Sequence, residues 1–264
     1  MICDFEKLLE HIYSELRSQV DVAVVGLSGG ADSSLVAILC MQALGKENVY
    51  GISMPYNKVD TRTFNALSAK LAERIGINHF VRPVGRIADA INEQIFVEVE
   101  PTDLNKGNSR SRARMCVLYG IAHNLSVQLP GKRVRVMGTG NLSEDFIGYD
   151  TKGGDALADI FPIGELFKSE VYQLLEYFRD EGVIDEANIN RIPSAGLVEE
   201  QTDEDDLGCS YDEMEEGVRL CLANYENMTS QTIDEITSFV WQRHLMHKHK
   251  HEAPIVIKLR HLCD

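Results

Sequence analysis

The sequence lacks the features of a membrane protein and of a secreted one. No apolar run approaches the ~20 residues that a membrane-spanning helix needs. The opening residues, Met1 to Glu6, are too acidic for the basic start of a secretory signal. The six cysteines are scattered without a Cys-x2-Cys pair, so we expect reduced and mainly structural thiols. These absences favour a cytoplasmic protein that has no membrane partner.

Positive charge is also scarce in this chain. Its 26 lysines and arginines face 41 aspartates and glutamates, which gives a formal net charge of −15. Broad binding to nucleic acid depends on neutralising phosphates, so this charge argues against a nucleic-acid partner. Any anionic substrate must instead meet lysine and arginine side chains that are concentrated locally.

Domain linkers, internal repeats and low-complexity tracts are missing as well. The length of 264 residues and the hydrophobic content of 44% suit an ordinary globular protein with a sizeable core. We therefore interpret residues 1–264 as a single domain.

The most informative stretch runs from Val22 to Leu39. Its first part, Val22 to Leu27, has the length and branching of a buried parallel strand, and Gly29 and Gly30 then allow a tight turn into a helix. Backbone N–H groups at such a turn and helix start can converge on an anion such as a nucleotide phosphate. The hydroxyl groups that could join them are those of Ser28, Ser33 and Ser34. A strand-turn-helix whose polar side chains only cap the helix is the simpler alternative.

The rest of the chain alternates between strands and helices, which predicts an α/β fold. We expect a doubly wound, mostly parallel sheet with helices on both faces, because a strand, a helix and a strand in succession form a parallel crossover. The further predicted strands are 48–55, 79–84 and 134–140, and the predicted helices are 4–20, 33–44, 61–75, 87–97, 168–179, 211–222 and 232–245. The acidic connection 193–208 is interpreted as a mobile loop or lid.

A cluster of basic residues interrupts the acidic background. Lys106, Arg110, Arg112 and Arg114 occur within residues 106–115, a stretch that contains no acid. Helical geometry places Arg112 about 60° from the apolar stripe of this helix and the other two arginines opposite it. We therefore expect Arg112 to be partly buried beside an anionic partner, whereas solvated positions suit Arg110 and Arg114.

Several glycine-rich segments carry a family resemblance. The turn Ser28-Gly-Gly-Ala-Asp-Ser33 lacks the lysine of the common phosphate loop and resembles the loop of the PP-loop ATP pyrophosphatases. Gly138 to Asp145, Gly148 to Asp155, Pro193 to Leu197 and Gln201 to Gly208 follow in the order that ammonia-dependent NAD synthetases show. From about residue 20 to about residue 254 the chain is similar to that family.

The resemblance implies a Rossmann-like PP-loop fold and a ligase reaction. Members of the family form NAD from deamido-NAD (nicotinic acid adenine dinucleotide), ATP and ammonia, release AMP and pyrophosphate, and work as homodimers. ATP converts the carboxylate into an acyl adenylate, from which ammonia displaces AMP. Neither step needs a protein nucleophile, whereas both need metal and cationic groups that hold the phosphates in line. Because the chain contains no additional glutaminase or nitrilase domain, free ammonia is the expected nitrogen donor.

Site residues follow from the positions that match the family's motifs. The resemblance assigns ATP binding to Gly26, Leu27, Ser28, Gly29, Gly30, Ala31, Asp32, Ser33, Thr139, Lys168 and Thr202. It assigns deamido-NAD binding to Arg112, Lys152, Asp159, His249 and Lys250. Asp32 and Glu144 would bind Mg²⁺, and with Lys168 they form the expected catalytic set. Without the resemblance, capping is the simpler interpretation of Thr139, Thr202 and the Asn141-x-x-Glu144 pattern.

The sequence departs from the family's pattern at two places. Ala156 and Leu157 stand where the family usually has two glycines, and His251 stands where its tail has an arginine, which Lys248 or His251 could replace. Two alternative functions follow from the residues. One is another adenylating PP-loop amidotransferase, similar to GMP synthetase, and the other is a nucleotide-binding protein without catalysis. The second would not need both Asp32 and Glu144.

Overall fold

The computed structural model describes residues 2, 4–56, 58–95, 100–189, 207–225 and 234–259. Four strands form its sheet: β1 (Val22–Gly26), β2 (Val49–Ser53), β3 (Asn78–Val81) and β4 (Val134–Met137). Neighbouring strands are parallel, and their order is β3-β2-β1-β4. The predicted parallel sheet is therefore confirmed, with each strand shorter than its predicted range.

Helices fill most of the remaining described chain. They are α1 (Phe5–Gln19), α2 (Ala31–Leu44), α3 (Lys58–Ile75), α4 (Gly85–Ile95), α5 (Asp103–Gln128), α6 (Leu142–Phe146), α7 (Lys168–Asp180), α8 (Glu186–Ile189), α9 (Tyr211–Ala223) and α10 (Glu235–His247), with 3-10 turns at Lys46–Asn48 and Lys248–Lys250. Several helices begin where a polar side chain accepts a backbone hydrogen bond, as at Asp4, Thr102 and Asp234. None of the helices in the described ranges is long and apolar enough to cross a membrane.

The side chains of β1 alternate between two cores. Ala23 and Val25 belong to one core with α1, α2 and α7, whereas Val22 and Val24 belong to another with α5. Successive strand residues point to opposite faces, so a central strand of apolar residues needs cover on both of them. All four side chains are at most 2% exposed. The sheet is thus wound on both faces, as predicted.

Helix α2 starts at the glycine turn and lies among the sheet, α1 and α7. Ten of its 14 residues are buried, including Leu35, Ile38 and Leu39. Full burial of one such side chain contributes roughly 1.5–3 kcal/mol. The helix whose first turn belongs to the candidate site is therefore held firmly by the core.

The cysteines in the described ranges are free thiols: Cys40, Cys116, Cys209 and Cys221. Burial raises the pKa of the Cys40 thiol to about 12 and that of the Cys221 thiol to about 11. Both thiols stay protonated near neutral pH, which is the behaviour of structural rather than reactive cysteines. For these two residues the expectation of reduced structural thiols is confirmed.

The carboxyl ends of β1 and β4 lie side by side at one edge of the sheet, because the two strands are parallel neighbours. The chain leaves β1 toward β2 and β3 on one side, while β4 lies on the other. Open α/β sheets bind ligands at such a change in strand order. A third core, which includes Phe146, Met214 and Val240, joins α6 to α9 and α10 just beyond β4.

Candidate active site

The turn after β1 needs glycine at one of its two glycine positions. Gly29 has a φ of 77°, in the left-handed region that favours glycine. Gly30 has a φ of −83° and a ψ of 170°, an extended conformation that any residue adopts. The sequence-based expectation of special backbone torsions therefore applies to Gly29 and not to Gly30.

Hydroxyl groups inside this turn hold it together. Ser33 Oγ accepts a hydrogen bond from Ser28 N at 3.2 Å and donates one to the Gly30 carbonyl at 3.1 Å. Ser28 Oγ accepts from Gly30 N at 3.2 Å. Ser34 is fully buried, so its hydroxyl is not open to a phosphate, contrary to what we expected from the sequence. The turn is preorganised by its own side chains, with the start of α2 behind it.

Lys168, the first residue of α7, joins the two acidic residues singled out from the sequence. Its Nζ lies 2.6 Å from Asp32 Oδ2 and 3.0 Å from Glu144 Oε1. Lys168 is only 3% exposed, and the three side chains come from α2, α6 and α7. Asp32 and Lys168 are 136 positions apart in the sequence. The fold therefore assembles the expected catalytic set at the carboxyl edge of the sheet.

One ammonium group serves two carboxylates in this cluster. Burial raises the pKa of Glu144, and although the charge of Lys168 lowers it, the nearby Asp32 carboxylate raises it further. Burial alone would lower the pKa of Lys168, but the two carboxylates outweigh this effect and hold its pKa above the usual range. Lys168 therefore stays charged. With both carboxylates ionised, the cluster carries one negative charge that Lys168 does not balance.

Two residues that the sequence did not single out as functional orient these carboxylates. Asn141 donates from Nδ2 to Asp32 Oδ1 at 3.0 Å, and its own Oδ1 accepts from Glu144 N at 3.2 Å. Tyr211 donates its hydroxyl to Glu144 Oε1 at 2.8 Å. Asn141 thus caps α6, as its sequence pattern suggested, while the Glu144 side chain binds Lys168. The pattern signalled Asn141 only as a cap, and nothing local signalled Tyr211.

A buried network fixes the start of α7. Lys168 N donates to Ser143 Oγ at 2.9 Å, and this hydroxyl donates to Glu215 Oε1 at 2.9 Å. Ser169 donates to the same carboxylate from its backbone N at 2.9 Å and from its Oγ at 2.6 Å. Glu215 of α9 is 5% exposed and lies 3.7 Å from the Arg219 guanidinium. The backbone of Lys168 is thereby held as firmly as its side chain.

The remaining predicted ATP residues fall in different places. Thr139 follows β4 and is half-buried, two positions before Asn141. Gly26 ends β1 and leads directly into the glycine turn. Thr202 lies outside the described residues, as does most of the acidic connection 193–208.

Arg112 is half-buried on α5, as predicted. Its Nε donates to the carbonyl of Lys152 at 3.3 Å. Its partner in the described part of the chain is a carbonyl oxygen, and the anionic partner expected for it stays a prediction. The carbonyl belongs to the loop that follows β4, which brings two of the predicted dinucleotide residues together.

Arg110 and Arg114 are half-buried as well, which contradicts the solvated positions expected for them. The Arg110 guanidinium stacks over the Tyr56 ring, 3.9 Å from its centroid. Arg114 donates to the carbonyl of Met54 at 3.1 Å. Residues 54 and 56 follow β2, so the expected solvent-facing side of α5 is turned toward the carboxyl edge of the sheet.

The loop from Gly148 to Asp155 lies against α5. Thr151 Oγ1 donates to Asn108 Oδ1 at 2.8 Å. Ser111 Oγ donates to Asp155 Oδ1 at 3.0 Å and accepts from Asp155 N at 2.9 Å. Thr151 N also donates to Asp155 Oδ1, at 2.7 Å. Side chains of α5 therefore fix both the middle and the end of this loop.

The residues after α10, called the tail here (residues 248–259), meet the same loop from another direction. Lys152 Nζ donates to the carbonyl of His249 at 2.6 Å. Lys250 Nζ donates to the carbonyls of Gly148, at 2.6 Å, and Asp150, at 2.7 Å. The predicted dinucleotide residues that gather around this loop are Arg112, Lys152, His249 and Lys250.

Asp159, the fifth predicted dinucleotide residue, lies beside β4. Its Oδ2 accepts from Val136 N at 2.8 Å, and the Tyr119 hydroxyl lies 3.5 Å from its Oδ1. Burial raises the pKa of Tyr119, and the Asp159 charge adds to the effect. Leu157, one of the two departures from the family's pattern, is 45% exposed nearby in the sequence. Asp159 thus has a structural role at the strand in addition to any role in binding.

Known proteins resemble this chain in sequence over most of its length. A sequence model of the family described as NAD synthase matches residues 4–254. The NH(3)-dependent NAD(+) synthetase of Methanosarcina acetivorans is 37% identical over 266 residues, covering 97% of this chain and 99% of the relative. The one from Methanocaldococcus jannaschii is 39% identical over 222 residues and covers 81% of each chain.

Solved structures of similar proteins share the fold. The NH3-dependent NAD synthetase from Campylobacter jejuni, in complex with the nitrate ion, matches with a TM-score of 0.74 and 28% identity over 97% of this chain and 100% of the other. The NMN synthetase from Francisella tularensis matches with a TM-score of 0.76 and 26% identity over 96% and 99%. Since the family model spans nearly the whole sequence and the relatives exceed 30% identity over most of both chains, the chain belongs to the NAD synthase family.

Proposed function

We propose that this chain catalyses the ATP-dependent amidation of deamido-NAD to NAD, with ammonia as the nitrogen donor. The observation that carries the proposal is the buried cluster of Lys168, Asp32 and Glu144 beside the glycine turn. Such a cluster offers fixed charge at the place where a nucleotide triphosphate would meet the start of α2. Membership of the NAD synthase family names the reaction.

The reaction first needs an activated carboxylate, because hydroxide is a poor leaving group. A carboxylate oxygen of the nicotinate attacks the α-phosphorus of ATP, and the bond from that phosphorus to the bridging oxygen breaks as pyrophosphate leaves. Ammonia then attacks the acyl carbon, the bond to the AMP oxygen breaks, and the surplus proton passes to solvent. Negative charge develops on phosphate oxygens, so positioned cations rather than a nucleophilic side chain lower the barrier.

The proposed ATP contacts run from Gly26 to Ser33 and continue with Thr139, Lys168 and Thr202. Backbone N–H groups of the turn and of the first turn of α2 would meet the phosphates, assisted by the helix dipole. The Lys168 ammonium would stabilise charge on the phosphates, because it is fixed in place, buried and fully protonated. The lysine that the turn lacks is thus supplied by a later helix.

We also propose that Asp32 and Glu144 hold Mg²⁺. Carboxylate oxygens are the donors that Mg²⁺ prefers, and both carboxylates already converge on one cation, the Lys168 ammonium, within 3.0 Å. If both carboxylates are ionised, they leave one negative charge that Lys168 does not balance, which would suit a second cation. When bound, the metal would neutralise charge on the phosphates. Asn141 and Tyr211 hold the two carboxylates in orientation.

For deamido-NAD we propose contacts with Arg112, Lys152, His249 and Lys250 around the loop Gly148 to Asp155, and with Asp159 beside β4. The cationic groups suit a substrate that carries two phosphates and a carboxylate. These proposed contacts are supported by the position of Arg112, Lys152, His249 and Lys250, which lie in or beside this loop.

Three further proposals concern the protein as a whole. We propose that it is a homodimer, which rests on the family resemblance, and that residues 1–264 form one domain that uses free ammonia. A cytoplasmic location is supported by the free cysteines of the described ranges.

The test is an assay of the purified chain with Mg-ATP, ammonium and deamido-NAD, in which NAD and AMP are both quantified. We expect equal amounts of the two products, and no AMP when the dinucleotide is omitted. Parallel reactions replace deamido-NAD with nicotinic acid mononucleotide or xanthosine monophosphate, and ammonium with glutamine.

The outcomes of these reactions distinguish the proposed function from its rivals. Preference for the mononucleotide would favour the activity that the name NMN synthetase denotes, and preference for xanthosine monophosphate a GMP synthetase-like enzyme. Glutamine turnover equal to that with ammonium would refute the proposed nitrogen donor. Binding of ATP without any AMP formation would identify a non-catalytic nucleotide-binding protein.

A further inference from the structure

The loop Gly148 to Asp155 is closely packed against the end of α10 and the 3-10 turn that follows. Gly148 has a φ of 66°, and a Cβ at this position would lie 2.1 Å from the Cβ of His247. Only glycine leaves room for this contact and adopts this backbone without strain. The loop and the last residue of α10 are therefore in direct contact.

Lys250 binds inward to this loop. Its ammonium donates to the carbonyls of Gly148 and Asp150 and lies 3.3 Å from Asp150 Oδ1. The side chain is 16% exposed. Two of its three N–H donors bind loop carbonyls, and the Asp150 carboxylate lies within ion-pair distance. In this conformation Lys250 therefore acts on the shape of the loop.

Asp150 is the residue on which these contacts converge. Its side chain is only 6% exposed, and its Oδ2 pairs with His251 Nε2 while its Oδ1 faces Lys250. A buried carboxylate is stable only when cations or hydrogen-bond donors surround it. Asp145, Asp150 and His251 also bring ligand-type atoms within 4.8 Å of one another, but the adjacent Lys250 ammonium already supplies a cation here. An ion-paired contact therefore explains this group.

We propose that Asp150 and His251 are positioning residues, which form an ionic latch between the tail and the loop Gly148 to Asp155 and thereby set the affinity for deamido-NAD. The latch is defined here as the contact of Asp150 with Lys250 and His251. The proposal rests on the proposed function in one respect, that the loop and the tail bind deamido-NAD. It also assigns the replacement for the family's tail arginine to His251, since His251 pairs with Asp150 whereas the Lys248 ammonium lies 4.0 Å from Glu252.

The latch can affect binding because the loop is held on two sides. On the side of α5, the carbonyl of Lys152 accepts from Arg112. On the side of the tail, the ammonium of Lys152 donates to the His249 carbonyl. Release of the tail would therefore remove the His249 carbonyl as a partner of Lys152. The loop would then be held only on the side of α5, where Arg112 binds it. Affinity for the dinucleotide would fall, whereas the cluster around Lys168 would keep its own contacts.

The charge state of His251 gives the latch a pH dependence. The contact with Asp150 raises the pKa of His251, burial opposes this, and the charges of Asp150 and Asp145 raise it further while that of Lys250 lowers it. Burial raises the pKa of Asp145 itself to about 8, so its charge supports protonated His251 mainly at the alkaline end of the pH range. A raised pKa means that protonated His251 contributes its full stabilisation below the ordinary histidine pKa and loses it as pH rises through the shifted value. Dinucleotide affinity should therefore weaken on the alkaline side.

The experiment compares the wild type with His251→Ala, His251→Arg and Asp150→Asn in the same assay from about pH 6 to about pH 9. We expect His251→Ala and Asp150→Asn to raise the KM for deamido-NAD about tenfold, because each removes an ion pair of the nearly buried Asp150 carboxylate. The kcat and the KM for ATP should change little. His251→Arg should keep a low KM and lose the alkaline increase, since arginine stays charged.

Backbone hydrogen exchange tests for the latch without relying on catalytic activity. In Asp150→Asn and His251→Ala, amides of residues 148–152 should exchange faster, while those of α2 should not. Unchanged exchange and an unchanged KM would overturn the latch, and so would a His251→Arg variant as impaired as His251→Ala. If the wild type proved inactive, the proposed function would fail, and the exchange rates alone would uphold or overturn the latch. Should Asp150→Asn not fold, the comparison of the two His251 variants remains decisive.

Discussion

The two sides of the proposed site are built differently. On the ATP side, Asp32, Glu144 and Lys168 bind one another directly inside the protein. On the dinucleotide side, lysine side chains bind mainly backbone carbonyls, and Lys152 and His249 remain exposed. Buried charges held by one another suit a group that must not move during reaction, whereas a loop held by a tail can adapt to a large substrate. Substitutions on the first side should therefore lower kcat, and those on the second should raise KM.

The largest effect is expected for Lys168→Ala. If the Lys168 charge acts in the transition state as proposed, its removal should lower kcat by about 10²–10³-fold, with a much smaller increase in the KM for ATP. Two largely buried carboxylates would also lose their counter-ion, which should destabilise the fold by up to about 3–5 kcal/mol. Steady-state kinetics and thermal unfolding of the same preparation measure both effects.

Two control variants separate catalysis from stability for Lys168. Lys168→Arg keeps a positive charge beside both carboxylates but moves it, so it should recover stability more than kcat. Lys132→Ala changes an exposed lysine before β4 and should alter neither. An unchanged kcat in Lys168→Ala would remove this residue from the catalytic set.

Asn141→Ala should have the next largest effect, because Asn141 orients Asp32 and caps α6. Loss of such an orienting partner typically costs about 10–100-fold in metal affinity or activity, and loss of the cap about 1 kcal/mol. Titration of activity with Mg²⁺ and thermal unfolding report the two roles separately. Asn141→Ser keeps a capping hydroxyl but lacks the amide donor to Asp32, so it should recover the stability of the cap and remain defective in activity. Full activity in Asn141→Ser would contradict the orienting role.

Gly29→Ala tests whether the shape of the turn matters for ATP. The left-handed backbone costs a residue with a Cβ roughly 1–2 kcal/mol, and relaxation of the turn should raise the KM for ATP about tenfold. Gly131→Ala is a matched control, since Gly131 has a φ of 84° and a Cβ there would have nothing within 4 Å. It should lose similar stability and leave both KM values unchanged. Equal kinetic effects in the two variants would show that backbone strain alone, and not the turn, is responsible.

The smallest effect is expected far from both sides, at Asp21. Its carboxylate accepts hydrogen bonds from Arg133 N at 2.7 Å, Nε at 3.0 Å and Nη2 at 3.0 Å, just before β1 and β4 begin. The side-chain and backbone hydrogen bonds of Arg133 hold the pKa of Asp21 well below its usual range. The stabilisation is therefore present above the ordinary Asp pKa of about 3.9 and is lost as pH falls through the lowered value.

Thermal unfolding of Asp21→Asn checks this sign. The variant should melt below the wild type at about pH 7, and the difference should shrink as the pH is lowered below about 4. The KM values for both substrates should be those of the wild type. A difference that grows toward acid pH would contradict the assignment.

Local sequence patterns were sufficient for much of the fold and for part of the site. The apolar run of β1, the glycine turn and the polar start of α2 are consecutive, so their order alone predicts the strand, the turn and the helix. Lys168 and Glu144 could be placed at helix starts, and parallel strands carry such starts to one edge. The meeting of Asp32, Glu144 and Lys168 follows from that topology.

Contacts between distant segments were beyond the reach of sequence patterns. Tyr211 reaches Glu144 across 67 positions, and nothing near either residue signals the hydrogen bond. Arg110 and Arg114 were expected in solvent because helical periodicity describes one apolar stripe, whereas α5 also faces the residues after β2. The convergence of Lys250 and His251 on Asp150 depends on how α10 packs, which no local pattern encodes.

The position of Lys168 also affects how a metal ion and a nucleotide would influence each other's binding. Its ammonium lies between the two carboxylates, so a metal ion that arrives alone must compete with it. Phosphate oxygens that attract the same ammonium would leave the carboxylates more available. Coupling of this kind is reciprocal, because each ligand raises the affinity for the other by the same factor. If Asp32 and Glu144 hold the metal as proposed, metal and nucleotide are expected to bind cooperatively, as a pair.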